Sequence, residues 1–282
     1  MFEILEIAAR AGFYLSALLA VGSVLCLRLL PQWSAAEQRT LHVTVCISSL
    51  IALGLAAAGV ALEAVFLAGN HWAAAGDLEL LGFVLEGPRG LSFAVLAAGL
   101  CLLFAVLVPI RGAEIVSLAG GVLVAISFGL TGHTTSAPGG LLSVLVIVHV
   151  LLLAFWIGIF IPLYRVSYRN REITAQVAHQ FGRIAVWTVP ALAVFGIVVL
   201  QQLTGGLVAA LSTDYGRLFA LKVSLFAVVL GFAAYNKRVL TPALMQGESS
   251  AMDHLRRSLR LESGVIFAIL LVTATTVTLT GP

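Results

Sequence analysis

Eight apolar runs, each near or beyond the roughly 18 residues a helix needs to cross a bilayer, dominate what this chain can become. They fall near residues 4–30, 41–68, 89–110, 113–132, 139–164, 183–204, 215–237 and 259–280. Of the 282 residues, 60% are hydrophobic and only 10% charged, too few polar groups to cover a soluble domain of that length. In lipid, only helices and closed barrels satisfy their own backbone, and runs this long suit helices rather than barrel strands. The expected fold is therefore all-α: an integral membrane bundle of eight transmembrane helices forming one domain over 1–282. Residues 1–140 make an N-terminal four-helix half and 141–282 a C-terminal half. The opening "MFEILEIAAR" has no positive n-region, and no small-residue cleavage site follows it, so the first span is expected to be retained. Pro190 falls inside the sixth run and is expected to kink it. The longest outer connection, 69–88, contains "DLELLGFVLE", which reads as a short amphipathic interfacial helix.

The basic residues select an orientation. Arg28, Arg39, Arg111, Arg165, Arg169, Arg171, Arg183, Lys237, Arg238, Arg256, Arg257 and Arg260 fall on one side, twelve of the sixteen Lys and Arg residues. Only Arg10, Arg89, Arg217 and Lys222 fall toward the other. The positive-inside rule makes the first side cytoplasmic, so both termini are expected to face outward. The pI near 9.0 then reflects basic loops. With few aromatics in the polar segments, no nucleic-acid partner is expected.

That orientation gives each ionisable residue a depth. Arg10 lies two turns into the first run, with Glu6 placed to pair with it at i−4. Glu63 sits just over a turn below the outer end of the second run, and Lys222 about two turns into the seventh, after "TDYGR". His149 is ten residues past Gly139, roughly 15 Å below the outer surface at 1.5 Å per residue. The inner half is expected to hold no comparable set. Charges in hydrocarbon usually face a bundle interior or a wet cavity. The clustering therefore suggests an outward-facing polar vestibule lined by Glu63, Lys222 and His149, with His71, His133 and Asp214 at its rim. The alternative is that Glu6–Arg10 is a surface pair, that Lys222 snorkels outward and that Glu63 bonds a neighbour.

Two of the histidines, His133 in "LTGHTTSAPGG" and His71, are expected at the outer surface, where imidazoles can share a metal ion. His149 is too deep to join His133 on one ion, because metal–nitrogen bonds are only about 2 Å. Successive stations fit better than a chelate. Trp156, seven residues after His149 and on the same helical face, is placed to wall the path. A buried histidine satisfied by one neighbour is the plainer alternative. Three cysteines without paired spacing argue against a disulfide framework. Cys26 and Cys46 match in depth near the inner side, a conceivable pair of soft exit ligands, although cysteines also pack as small apolar fillers. Met1, Met245 and Met252 are the only methionines, and none lines a run, so a methionine-stacked copper(I) channel is not expected.

The second half carries a resemblance. "HVLLLAFWIGIFIPL" (149–163), "FGRIAVWTVPALAVFGIVVL" (181–200), "TDYGRLFALKVSLFAVVLGFAAYNKRVLTPAL" (213–244) and "LRRSLRLESGVIFAIL" (255–270) resemble the bacterial copper resistance protein D (CopD) family. The eight-span plan and the "GHTTSAPG" turn are similar too. The resemblance implies a multi-pass protein of the bacterial inner membrane, with both termini periplasmic. It would move copper ions from periplasm toward cytoplasm, alongside a separate periplasmic copper-binding protein. It transfers a family role to His149, Trp156, Tyr215, Lys222 and Asn236 as matching positions. Copper is the implied ion, with Lys222 as an electrostatic gate or a counter-ion for Glu63. No P-loop is present, and no enzymatic activity is expected.

A different class of function remains open: a membrane redox protein binding haem b and acting on periplasmic copper or quinone. His149 lacks a second histidine near its depth, which disfavours a bis-histidine haem but leaves a single-histidine ligand. A membrane scaffold for a periplasmic partner is the third possibility, and it needs no intramembrane histidine.

Overall fold

Polar caps and turns divide the apolar chain into helices. The computed structural model describes residues 2–30, 32–130, 140–204 and 214–280. The helices are α1 (Phe2–Leu29), α2 (Ala35–Leu67), α3 (Leu78–Glu86), α4 (Pro88–Leu103), α5 (Ala113–Gly129), α6 (Leu141–Gly158) and α7 (Phe160–Val166). They continue with α8 (Arg171–Thr204), α9 (Asp214–Tyr235), α10 (Thr241–Gln246) and α11 (Ala251–Thr280). Short 3₁₀ turns cover Trp72–Gly76 and Phe104–Leu107, and a π-helical turn, Asn236–Leu240, joins α9 to α10. No strand occurs among the described residues.

Seven of the helical stretches are long and apolar enough to cross a membrane, and Ala113–Gly129, where the fourth span was expected, is a shorter apolar helix. The "DLELLGFVLE" segment does form a helix, α3, whose first turn is capped by Asp77: its carboxylate accepts from Glu79 N at 2.9 Å and Leu80 N at 3.3 Å. Pro190 lies inside α8, which continues through it.

Several helices outrun the apolar windows that announced them. Helix α2 starts at Ala35 rather than 41, α8 at Arg171 rather than 183, and α11 at Ala251 rather than 259. Hydropathy registers only the lipid-immersed part. Polar, helix-forming extensions such as "REITAQVAHQFG" keep the backbone bonded beyond it.

Helix α1 is the central post, with half of its most apolar window buried, whereas the windows of α8 and α9 are only 6% buried. Close crossings rest on small residues, as membrane bundles require when dispersion replaces the hydrophobic drive. Gly22 of α1 and Gly158 of α6 face each other so closely that a Cβ on Gly22 would fall on the Ala154 carbonyl. Gly99 of α4 and Gly120 of α5 are the matching pair: a Cβ on Gly99 would lie 2.8 Å from Val124 N. Around these contacts Leu18, Val21 and Val24 of α1 share one core with Leu100, Val124, Phe155, Trp156 and Leu259. Outward residues of α8 and α9 such as Val194, Ile197, Val223 and Val228 stay exposed, as a lipid-facing surface does.

Polar contacts collect at the two ends. At one end Arg28 pairs with Glu114 at 3.1 Å, Arg169 with Glu37 at 3.8 Å, and Gln32 bonds Gln180. There too Arg256 donates to Ser167 O at 2.8 Å and Arg171 to Glu248 O at 2.6 Å. These contacts tie the α1–α2, α4–α5, α7–α8 and α10–α11 connections into one basic end. At the opposite end Phe2 meets Trp72 edge-on at 6.0 Å, and Glu63 pairs with Arg89 at 3.3 Å.

Candidate functional site

The intramembrane polar residues separate into two groups that do not touch. The first lies between α1, α2 and α4. Arg10 donates to Glu6 at 2.7 Å, as the i−4 spacing predicts, and also engages Tyr14. Glu63 pairs with Arg89, not with Lys222. Each carboxylate here has its own guanidinium, so the group is charge-balanced and accounted for by structure.

The second group lies where α6, α9 and α11 meet. Helix α6 carries His149 and Trp156 two turns apart on one face. Helix α9 carries Lys222 and Phe226 one turn apart. Lys222 lies close enough to His149 for its charge to be felt at the imidazole, and its ammonium sits 5.8 Å from the Phe219 ring centroid. One level toward the basic end, Trp156 meets Phe226 edge-on at 6.3 Å. Below the rings, Trp156 Nε1 donates to Glu262 Oε1 at 3.2 Å, and Asn236 Nδ2 donates to Glu262 Oε2 at 3.0 Å. The result is a ladder of imidazole and ammonium, then an aromatic pair, then a carboxylate held by two neutral donors.

Local sequence explains the lower rung. The π-helical turn Asn236–Leu240 widens the end of α9, and Thr241 Oγ1 accommodates it by donating to Asn236 O at 2.8 Å. That turn sits where "YNKRVLTP" passes from the apolar span to basic residues. Asn236 Oδ1 is buried without a partner. Glu262, 3% exposed, sits eleven residues into α11, and no cation lies within 4 Å of it among the described residues.

The structure thus joins four of the expected site residues, His149, Lys222, Trp156 and Asn236, and separates Glu63 from them. His71 is exposed at the head of the 3₁₀ turn Trp72–Gly76. His133 lies outside the described residues, and so do the side chains of Asp214 and Tyr215. Cys26 is fully buried, with its thiol directed at Phe155 O at 3.8 Å, while Cys46 is half-buried. Among the described residues no group of three or more His, Cys, Asp or Glu is gathered as for a metal ion. His149 itself is half-buried and makes no hydrogen bond among the described residues. The other described histidines, His42, His71, His179 and His254, stand near helix ends or in connections.

The half toward the basic end, expected to hold no comparable set, is not empty. Glu262 is the one acidic residue in the eighth apolar run, and that charge was the signal available in the sequence. Its partners were not readable, because Trp156 lies 106 residues away in the chain.

Residues 175–276 match the family model for copper resistance protein D, and residues 1–144 match that for the copper resistance protein D-like N-terminal domain. No curated protein and no solved structure matches the chain.

Proposed function

The chain belongs to the copper resistance protein D family, and from that premise we propose that it carries copper ions across the bacterial inner membrane, from periplasm toward cytoplasm. The observation that carries this reading is His149: an imidazole inside a spanning helix, half-buried and free of structural hydrogen bonds among the described residues. A histidine kept at membrane depth with no bond of its own to satisfy suits a borderline-soft ligand to a passing cation. Lys222 beside it acts as an electrostatic gate: its charge opposes a cation resting at His149 and keeps that station weak enough to release. Glu63, already paired with Arg89, stays at the outer end as part of the vestibule wall. His71 and His133 are the capture residues at its mouth, with Asp214 and Tyr215 beside the outer end of α9. Cys26 and Cys46 are the soft ligands nearest the exit.

Helix α5 serves as a short fourth span, making eight passes with both termini periplasmic. The gathering of Arg28, Arg169, Arg171 and Arg256 at one end supports placing that end in the cytoplasm. The protein acts as a conduit and catalyses no reaction, receiving its copper from a separate periplasmic protein.

Cells expressing the chain are expected to accumulate more copper than cells carrying an empty vector, measured by elemental analysis. His149→Ala is expected to remove the excess. Equal copper content with and without expression would overturn the transport reading.

A further inference from the structure

Glu262 is costly where it stands. Two neutral N–H groups approach its oxygens, one each, and no cation pairs with it among the described residues. Groups on the neighbouring elements are engaged or turned away. On α1, Arg28 pairs with Glu114 and the Cys26 thiol points to Phe155 O. Arg165 of α7, Lys237 and Arg238 of the π turn, and Arg257 and Arg260 of α11 itself are exposed or form no pair with it. Lys222 of α9 lies by His149, on the far side of the aromatic pair. An ionised carboxylate buried without a cation is strongly disfavoured, and neutralisation is the usual escape.

The surrounding atoms show where a proton fits. Trp156 Nε1 can only donate, so Glu262 Oε1 must remain an acceptor, the carbonyl oxygen of a carboxylic acid. Oε2 faces the Asn236 amide, which has a donor and an acceptor end. With Nδ2 toward Oε2, the amide serves a carboxylate, and its own Oδ1 is left buried without a partner. Rotated by half a turn, it serves the acid: Oε2–H donates to Oδ1, and the NH2 group takes the place that Oδ1 held. The π turn that carries Asn236 supplies the irregular backbone often found at functional sites.

We propose that Glu262 and Asn236 form a proton-binding site that exchanges one proton against the copper ion, making the protein a copper–proton antiporter. The coupling rests on the transport reading; the proton site does not. A hydronium ion from the basic end gives its proton to Oε2, forming the O–H bond and leaving water, and the Asn236 amide turns its oxygen to it. When a copper cation descends past Trp156, the acid gives that proton to water on the periplasmic side, breaking its O–H bond and forming hydronium there, and the carboxylate balances one unit of the cation's charge.

The test uses the full chain in lipid. Infrared difference spectra between acidic and alkaline buffer are expected to show one buried carboxylic C=O band that titrates. Glu262→Gln removes the band. Trp156→Phe shifts it to higher frequency, because the bond to Oε1 is lost. A titrating band that survives in Glu262→Gln, or no such band in the wild type, overturns the proton site. In proteoliposomes loaded with a pH-sensitive dye, copper movement is expected to drive opposite proton movement, and Glu262→Gln abolishes the proton signal. Copper movement without proton movement overturns the coupling. No copper movement in the wild type overturns the transport reading and the coupling with it, while the infrared band still decides the proton site.

Discussion

At the residue scale, the ladder between α6, α9 and α11 divides its labour by chemistry. His149 offers a ring nitrogen with no competing bond, Trp156 and Phe226 close the space beneath it, and Trp156 also holds Glu262 through Nε1. Trp156 therefore has two separable duties. Trp156→Phe keeps the ring against Phe226 but removes the donor to Glu262 Oε1. Leaving a buried acceptor unsatisfied costs about 1–3 kcal/mol, so the variant is expected to unfold at a lower temperature in detergent than the wild type while remaining in the membrane. An unchanged midpoint would show that water replaces the indole N–H. His149→Gln, which keeps a polar side chain of similar reach, is expected to lose the copper accumulation as fully as alanine does, since the amide is a poor ligand for copper. Full retention of accumulation in the glutamine variant would mean that His149 packs rather than binds.

At the scale of single elements, the apolar windows located the helices but not their ends or their closest faces. The period of the pattern is unreadable in α6, where "LLSVLVIVHVLLLAFW" is apolar on every side. Which face meets α1 is decided instead by Gly22 and Gly158, which let the two backbones touch. Gly22→Leu is expected to force α1 and α6 apart at a cost of at least about 2 kcal/mol, read as loss of monodisperse protein after extraction. Gly54→Leu on α2, where an added Cβ meets nothing within 4 Å, serves as the control and is expected to leave yield unchanged. The cap of α3 was more legible: an Asp before "LELLGFVLE" is a local signal, and Asp77 performs that role. Asp77→Ala is expected to cost about 1 kcal/mol of helix stability, seen as faster amide exchange confined to 78–86.

At the scale of the whole molecule, charge sorts the connections. The interhelical pairs Arg28–Glu114 and Arg169–Glu37 fasten the basic end, while the acidic and aromatic contacts of Glu63 and Phe2 mark the other. Reporter fusions at Gly112, Asn170 and Gly247 are expected to report cytoplasm, and a fusion at Asn70 periplasm. Asn70 reporting the same side as Gly112 would break the eight-pass topology.

The sequence by itself determined the class, the approximate helices and the sidedness of charge. These follow from composition and from window hydropathy, both local and additive properties of the chain. It also marked His149 and Lys222 as ionisable groups within apolar runs and Trp156 as lying on the helical face of His149, while Asn236 stood out only through the family resemblance. Only the tertiary structure decided who meets whom. Glu63, read as a companion of Lys222, is neutralised by Arg89 instead, because α2 packs beside α4 while α9 packs beside α11. Glu262 became part of the site only when α11 brought it beneath Trp156 and the π turn brought Asn236 to its other oxygen. Partner choice between helices depends on where small residues let backbones approach and on which buried polar atoms can satisfy one another. Neither is a property of any single stretch of chain.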